Sequence, residues 1–541
     1  MEQNQKIVEN KSHNIVSPVA FFCAEYAIGG KESSYAGGLG VLAGDIVLEA
    51  ADQGLPFVAI GMRYDGTYPD KDGFEIVHNS DGSVLKLDVP IESGVVSVQA
   101  WVKYFSPTTA LYLLDPKVSL NKEQGIMAGH LYDSHFYTRL KQQIIIGIGG
   151  FRLLKALGIE PKIYHLNEGN MAFAALAILA EGFSGTVFDE ESRIKAVRAK
   201  VVSTKHTILE AGIETPMDGL WQFIGKYCET HSIRKEFVMS LGAHEHDMDI
   251  FAATKFILRL SGKVNGVSII HTVFEKEKHS KSDLIPITNG IYQKRWQAPG
   301  FFQKDFELSN EELWNIKKDL RKDFIEQISM LSGVHLNPSA CTLVWTRRFV
   351  PYKRPFALFE DMVRLAKILN NTDMPVQIVI SGAIYAPHSE SAEISAKIQA
   401  LSADPMFRGK IAFVPGYSLE LAKVLITGAD IWLNTPIRGK EACGTSGMKA
   451  GLNGALQMSV SDGWIDEVDW NGIGWILSND SVSNSLYKYL EEEVIPIFYN
   501  RGNDGIPLEW VRKMRATMSI IESRYTTKRA LKDYKEKLYG I

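Results

Sequence analysis

Cysteine is scarce in this sequence: Cys23, Cys228, Cys341 and Cys443 are the only four in 541 residues, and none are spaced as CxxC. That pattern argues against a disulfide framework or a zinc site and for a reducing compartment. An excess of charge of one sign is missing too. Lys and Arg number 59 and Asp and Glu 63, for a formal net charge of -4, which leaves no basic field to attract nucleic acid. Long apolar runs are also lacking. Ile144-Ile145-Ile146-Gly147-Ile148 falls far short of the roughly 20 residues that span a bilayer, and the polar lead Met1 to Asn14 has no apolar signal core. There is no internal repeat and no low-complexity segment. What remains is an ordered chain, 45% hydrophobic and 23% charged, expected in the cytoplasm with no nucleic-acid or membrane partner. It is too long for one core, so at least two domains are expected.

The chain alternates short apolar runs with helical segments. Val19 to Tyr26 reads as a buried strand, followed by the loop Tyr35-Ala36-Gly37-Gly38-Leu39-Gly40 and a helix through Asp45 to Asp52. Leu55 to Tyr64 is the next strand, which makes a βαβ start with glycine at the turn. Val96 to Phe105 and Ala110 to Leu114 are further strands, Tyr137 to Leu157 is helical, and Lys162 to Leu166 is a strand. Apolar runs at Lys195 to Thr204, Val267 to His271 and Ile285 to Thr288 complete the first set. The amphipathic stretch Glu311 to Met330 reads as a connector. A second set of strands follows at Cys341 to Thr346, Val376 to Ser381, Ile411 to Val414, Ile431 to Asn434 and Ala455 to Val460, with helices such as Pro355 to Leu369 between them. This alternation predicts an α/β fold of parallel, doubly wound sheets, two Rossmann-like domains with a central cleft. The expected boundaries are 1-295 and 296-505, with a mixed-charge helical segment, 506-541, packing back across the hinge.

The most distinctive stretch is Glu441-Ala442-Cys443-Gly444-Thr445-Ser446-Gly447-Met448-Lys449, between the strand ending near Asn434 and a helix expected over Met448 to Leu456. Small residues and backbone N–H groups at a strand-to-helix turn suit a phosphate, Thr445 and Ser446 add hydroxyls, and Lys449 offers a counter-charge or an imine-forming amine. A plain tight turn with a surface lysine fits the same pattern. Ligands of open parallel sheets sit at the carboxyl ends of strands, which draws in four more groups. Gly37 to Gly40 could let backbone N–H groups approach an anion. His206, after the strand at Val201 to Thr204, reads either as a sugar contact or as a structural histidine. His165 to Asn170 is a second polar strand end, with Asn167 a candidate helix cap. Arg347-Arg348 and Tyr352-Lys353-Arg354, the latter at an expected helix start, could clamp a phosphate dianion or form a solvated charge run. No carboxylate pair has glycosidase spacing, and the acids of Asp462 to Glu467 fit a surface loop.

Together these segments resemble the α-glucan phosphorylases, the glycogen, starch and maltodextrin phosphorylase family, in its compact microbial form. The match is carried by YAGGLGVLAGD from 35, RLKQQIIIGIGGFRLLKALGI from 139, YHLNEGN from 164, KHTILEAG from 205, VNGVSIIH from 264, ITNGI from 287, RRFVPYKRP from 347 and EACGTSGMKAGLNGALQMSVSDGWIDE from 441. They stand in family order across residues 19 to 480. The resemblance implies a GT-B glycosyltransferase fold and pyridoxal 5'-phosphate held as a Schiff base on Lys449, with Gly444, Thr445, Ser446 and Tyr417 around it. It implies that Arg348 and Lys353 position the substrate phosphate and that His206, Asn265 and Glu441 meet the glucosyl unit. Gly37, Gly38, Leu39 and Gly40 would form the loop beside that phosphate. The implied reaction is reversible phosphorolysis of an α-glucan or maltooligosaccharide by orthophosphate, giving glucose 1-phosphate with retention and using no metal. Homodimers are usual in the family, and no interface signature stands out here.

Three positions depart from the family pattern: Asn170 in place of histidine, Cys443 in place of serine and Ala383 in place of lysine. The chain also lacks room for the regulatory N-terminal region of the animal and plant enzymes. A nucleotide-sugar-dependent transferase of the same fold, resembling glycogen synthase, would need no cofactor on Lys449. A catalytically lapsed glucan-binding protein would not keep Arg348, Lys353 and Lys449 together.

Overall fold

The structure, a computed structural model, describes residues 15–29, 35–67, 69–118, 128–183, 189–207, 213–244, 246–279, 283–302, 308–383 and 389–541. The chain divides into two compact units. One comprises Met1–Gly266, Lys281–Ile285 and Leu531–Ile541, and the other Val267–Ser280 and Pro286–Ala530.

The sheet of the first unit is built outward from β1 (Val19–Phe22), whose four residues are all buried, as in a strand covered on both faces. It pairs in parallel with β2 (Phe57–Met62) and β7 (Ile163–Asn167). The remaining strands are β3 (Glu75–Ile76), β4 (Lys86–Ile91), β5 (Gly94–Ser106), β6 (Thr109–Asp115), β8 (Val201–Lys205), β11 (Lys263–Gly266) and β12 (Ile285–Pro286). A separate antiparallel pair is formed by β9 (Glu214–Pro216) and β10 (Ile250–Ala252). The order across the large sheet is β12-β11-β8-β7-β1-β2-β6-β5-β3, with β4 on β5.

This sheet is mixed, where the alternation predicts a parallel one. Strand β5 runs antiparallel to β3, β4 and β6, because the short link between Ser106 and Thr109 has no room for a crossover and can only turn the chain back. Two further expectations fail. The run from Lys195 is first a helix, Glu190–Arg198, capped by Asp189, with acids in its first turn and bases in its last, which the helix dipole favours. Val267 to His271 follows β11 and opens the helix Ile269–His279, where Ser268 Oγ accepts the N–H of His271.

The second unit holds a six-stranded, all-parallel sheet of β13 (Cys341–Thr346), β14 (Val376–Gly382), β15 (Ile411–Pro415), β16 (Ile431–Asn434), β17 (Leu456–Val460) and β18 (Trp475–Leu477). Its order is β15-β14-β13-β16-β17-β18, which in chain order is 3-2-1-4-5-6, the doubly wound arrangement of a Rossmann fold. The winding reverses between β13 and β16, and a ligand crevice is expected outside their carboxyl ends. The helix Asn310–Ser332 begins with a Ser309/Glu312 capping box and ends at Gly333, φ +71°. It buries Lys317 and Arg321 along with Leu313, Trp314 and Phe324. Both α/β sheets belong to the GT-B architecture.

The segment after β13 is not the helix expected over Pro355 to Leu369. Pro351–Lys353 form a single tight turn, Arg354 adopts a left-handed conformation (φ 48°, ψ 56°), and the helix starts at Met362. Pro355 disfavours the right-handed helical region for the residue before it. The Arg354 guanidinium then secures the turn by donating to Thr435 O, Pro436 O, Asn479 O and Asn479 Oδ1. The helix expected over Met448 to Leu456 is likewise shorter, Ser446–Gly451. It stops at a turn with Gly454 at φ +78° and passes straight into β17. Among the described residues no helix is long and apolar enough to cross a membrane.

Candidate active site

In the second unit the reversal between β13 and β16 is bridged by one side chain. Arg347, immediately after β13, donates from Nε to Asn434 Oδ1 at the end of β16 (2.8 Å) and from Nη1 to Ser446 Oγ. Asn434 is fixed in turn by donating to Ser459 Oγ on β17 (3.1 Å). A guanidinium is thus set against the glycine-rich segment. Its neighbour Arg348 is exposed and donates to Tyr352 Oη (3.0 Å). Of the arginine pair named from the sequence, Arg347 hydrogen-bonds Ser446 in the segment, and Arg348 adds its charge to the field around Glu441.

Lys353 sits in the tight turn after β13 and donates to Glu441 Oε2, with both side chains buried. Burial opposes the charged form of Glu441, and the Lys353 ammonium and the Arg347 and Arg348 guanidiniums outweigh it. The carboxyl is therefore held below its usual range. The backbone of Glu441 is fixed by Asp462, whose Oδ2 accepts the N–H groups of Gly439 and Glu441, both at 2.9 Å. Asp462 is buried, not part of a surface loop, and burial pushes its pKa up to about 6. A Cβ at Gly444 would lie 2.2 Å from Glu441 Oε1, so a side chain there would push that carboxylate aside.

Lys449 lies on the short helix Ser446–Gly451 and is buried, 5% exposed. Its Nζ stands 4.1 Å from the centroid of the Trp296 ring. Asn453 holds the two together, donating from Nδ2 to Lys449 O and Trp296 O (both 2.8 Å) and accepting the Ala298 N–H at Oδ1 (2.7 Å). Behind Asn453, the Lys317 ammonium donates to the carbonyls of Thr427, Ala429 and Asn453 at 2.9, 2.6 and 3.0 Å. Thr445 precedes the helix and Gly447 packs against Gln457 and Trp464. Half-buried Cys443 keeps its proton, since burial raises the thiol far above its ordinary value. Tyr417 lies exposed between β15 and the helix Leu419–Gly428.

In the first unit a second group of polar side chains gathers at the carboxyl ends of β1, β7 and β8. Glu25 follows β1, and its Oε2 accepts the N–H groups of Ala36 (2.7 Å) and Gly37 (3.2 Å). Its Oε1 accepts the Tyr132 hydroxyl (2.6 Å). The glycine loop expected to greet an external anion thus already holds one from the protein. His206 donates its N–H to Glu168 Oε2 (2.8 Å), and its Nε2 meets Asn167 Oδ1 (2.6 Å). The turn Gly169–Met171 is capped by Glu168, at φ +81°, whereas Asn167, the expected cap, serves His206.

Asn265 on β11 is fully buried at the end of a hydrogen-bonded chain. Thr204 gives its hydroxyl proton to Asn265 Oδ1 (2.6 Å) and so accepts from His165 Nε2 (2.6 Å). His165 Nδ1 is left to accept from the Tyr539 hydroxyl (2.7 Å). Burial pushes the His165 pKa down to about 3, so the imidazole is neutral. Sequence reading named Glu441, Lys353, Lys449 and Asn265. It gave no role to Trp296, Asn453, Lys317 or Glu25, and read Asp462 as a surface acid. The buried polar residues inside apolar helices and strand ends were the available signals.

The carbohydrate phosphorylase family model matches residues 301–470. The chain is 33% identical to a maltodextrin phosphorylase of Thermococcus litoralis, over 97% of this chain and 70% of that protein. It is 32% identical to a glycogen phosphorylase of Aquifex aeolicus, over 97% and 86%. An uncharacterized protein of Methanocaldococcus jannaschii is 28% identical over 97% of this chain and its own full length.

Proposed function

Because the chain belongs to the carbohydrate phosphorylase family, we propose that it is an α-glucan phosphorylase, cleaving terminal α-1,4-linked glucose with orthophosphate and releasing glucose 1-phosphate with retention. The observation that carries this reading is the surroundings of Lys449: a buried amine against Trp296, one turn from the hydroxyls of Thr445 and Ser446, with the Arg347 guanidinium on Ser446.

That donor set fits pyridoxal 5'-phosphate. An amine shielded from water suits its aldehyde, and hydroxyls beside a guanidinium suit its phosphate monoester. Lys449 would hold the group, with Gly444, Thr445 and Ser446 at its phosphate and Tyr417 beside it. When bound, the cofactor supplies a phosphate that relays protons. The chain's own residues do the rest. Arg348 and Lys353 hold orthophosphate, offsetting the repulsion between two phosphates brought together. The glycosidic C1–O bond breaks as an orthophosphate proton passes to the leaving oxygen, and a phosphate oxygen then bonds to C1 of the glucosyl unit. Glu441 and His206 are assigned to that unit's hydroxyls, and Gly37 to Gly40 to the substrate phosphate. Glucan binding is assigned to the first unit and the cofactor to the second. The cytoplasm is the assigned compartment.

The test is the absorption spectrum of the purified protein, before and after borohydride reduction, with the labelled peptide identified by mass. A pyridoxyl label on Lys449, with phosphate-dependent release of glucose 1-phosphate, is expected. A colourless protein that takes up no added pyridoxal 5'-phosphate would remove this reading and point to a nucleotide-sugar transferase.

A further inference from the structure

We infer that Glu25 is a positioning residue for orthophosphate, acting through the glycine loop, an inference that rests on the phosphorylase reading above. Glu25 is 2% exposed, a buried carboxylate to which the proposed reaction assigns no role. The helix Gly38–Asp52 has Gly37 at its N-cap, no side-chain cap of its own and no acid in its first turn. A serine or aspartate at 37 would ordinarily supply the missing acceptor locally. Here it arrives from β1, at the other end of a loop.

The carboxylate is held on every side. The Ala36 and Gly37 N–H groups converge on Oε2, and the Tyr132 hydroxyl fixes Oε1. Burial raises the Glu25 pKa, and these bonds oppose the rise. The fit is close enough that a Cβ at Gly40 would stand 2.7 Å from Oε2 and 2.6 Å from Tyr35 Cβ. Gly40 itself gives its carbonyl to the Ala27 N–H (2.8 Å), which ties the loop back to the strand that carries Glu25.

This arrangement sorts the loop's donors. The N–H groups of Ala36 and Gly37 are occupied, while those of Gly38 and Leu39 have no acceptor among the described residues. Those two remain for a dianion. Two consequences follow for phosphate. Its position is dictated by which donors Glu25 leaves open, and its charge is kept from the neighbouring N–H groups, which would otherwise offer a competing seat at the same helix start. Removing the carboxylate orphans two N–H groups and widens the choice of anion positions. Binding of orthophosphate weakens, and the glucan, which carries no charge, is little affected.

The test uses the full-length, cofactor-loaded enzyme and the variants Glu25→Gln and Tyr132→Phe. Glu25→Gln keeps the shape and replaces one acceptor by a donor that faces N–H groups. Tyr132→Phe, at a position 45% exposed, frees one carboxylate oxygen without threatening the core. Glu25→Gln is expected to raise KM for orthophosphate roughly tenfold, and Tyr132→Phe about threefold, with KM for the glucan moving less than about twofold. The thermal shift that orthophosphate alone produces should shrink in the same order. An unchanged orthophosphate KM in Tyr132→Phe, or equal changes in both KM values in either variant, would overturn the inference. If Glu25→Gln does not fold, the Tyr132→Phe comparison decides. A parent enzyme that releases no glucose 1-phosphate would instead sink the phosphorylase reading, whatever the variants do.

Discussion

The ammonium of Lys449 stands 4.1 Å from the centre of the Trp296 indole, and Asn453 hydrogen-bonds the backbone carbonyls of both residues. A desolvated cation over an indole face is stabilised by about 2 kcal/mol. Trp296→Phe keeps an aromatic ring but offers a weaker face. At limiting pyridoxal 5'-phosphate, the fraction of Lys449 trapped by borohydride should fall several-fold. Lys449→Ala should lose the label and the activity together, and activity surviving without the label would refute the role given to this lysine.

The buried pair Lys353–Glu441 predicts a particular pattern of stabilities. Glu441→Gln or Lys353→Met leaves one charge buried without its partner, a loss of about 3–5 kcal/mol. The double variant Lys353→Met/Glu441→Leu removes both charges and should unfold in urea at a concentration above that of either single variant. Additive losses in the double variant would mean that the two groups do not depend on each other.

Lys317 donates to three backbone carbonyls from within the helix Asn310–Ser332. Lys317→Met fills the same space and leaves those acceptors unmatched, at about 1–3 kcal/mol for a buried orphaned group. Because one of the three is Asn453 O, the variant should also slow cofactor uptake at Lys449. A drop in stability with normal uptake would confine Lys317 to the core.

His165 sets an acid limit on the first unit. Its folded pKa, about 3, lies below the ordinary 6.5, so as pH falls the unfolded chain binds the proton first. The stability this difference supplies is fully present above pH 6.5. It is lost progressively between pH 6.5 and 3, on the order of 5 kcal/mol in all. His165→Asn cannot titrate, so the stability gap between parent and variant should narrow as pH falls through that window. A gap independent of pH would show that His165 is protonated in both states alike.

How far the sequence could be read depended on the range of the interactions involved. Strands β13 and β16 stand where the apolar runs put them, because Cys341–Thr346 and Ile431–Asn434 are almost wholly buried and continuous hydrophobicity is the signature of a strand covered on two faces. The helix expected from Pro355 starts instead at Met362, after tight turns at Pro351–Lys353 and Ala357–Phe359, although proline is at home in a first helical position. The antiparallel β5 failed because alternation with helices was carried over a two-residue link too short for a crossover. Glu441, Lys353 and Lys449 could be found in contiguous motifs. Trp296 and Lys317 come to this place from distant parts of the chain, Lys317 by way of Asn453, and nothing in their own neighbourhoods announces it. Asp462 was read as a surface acid because its three backbone partners exist only once the loop is folded around it.

The 3-2-1-4-5-6 order of the second sheet places the Arg347 end of β13 beside the Asn434 end of β16 before any side chain is chosen. The crevice there is a property of connectivity. Its lining can be exchanged, one residue at a time, on a scaffold whose own cohesion comes from the buried strands beneath. Chemistry at such a place is cheap to revise and architecture is not. Substitutions at positions 347, 434 and 446 should therefore alter what the crevice binds long before they alter whether the chain folds.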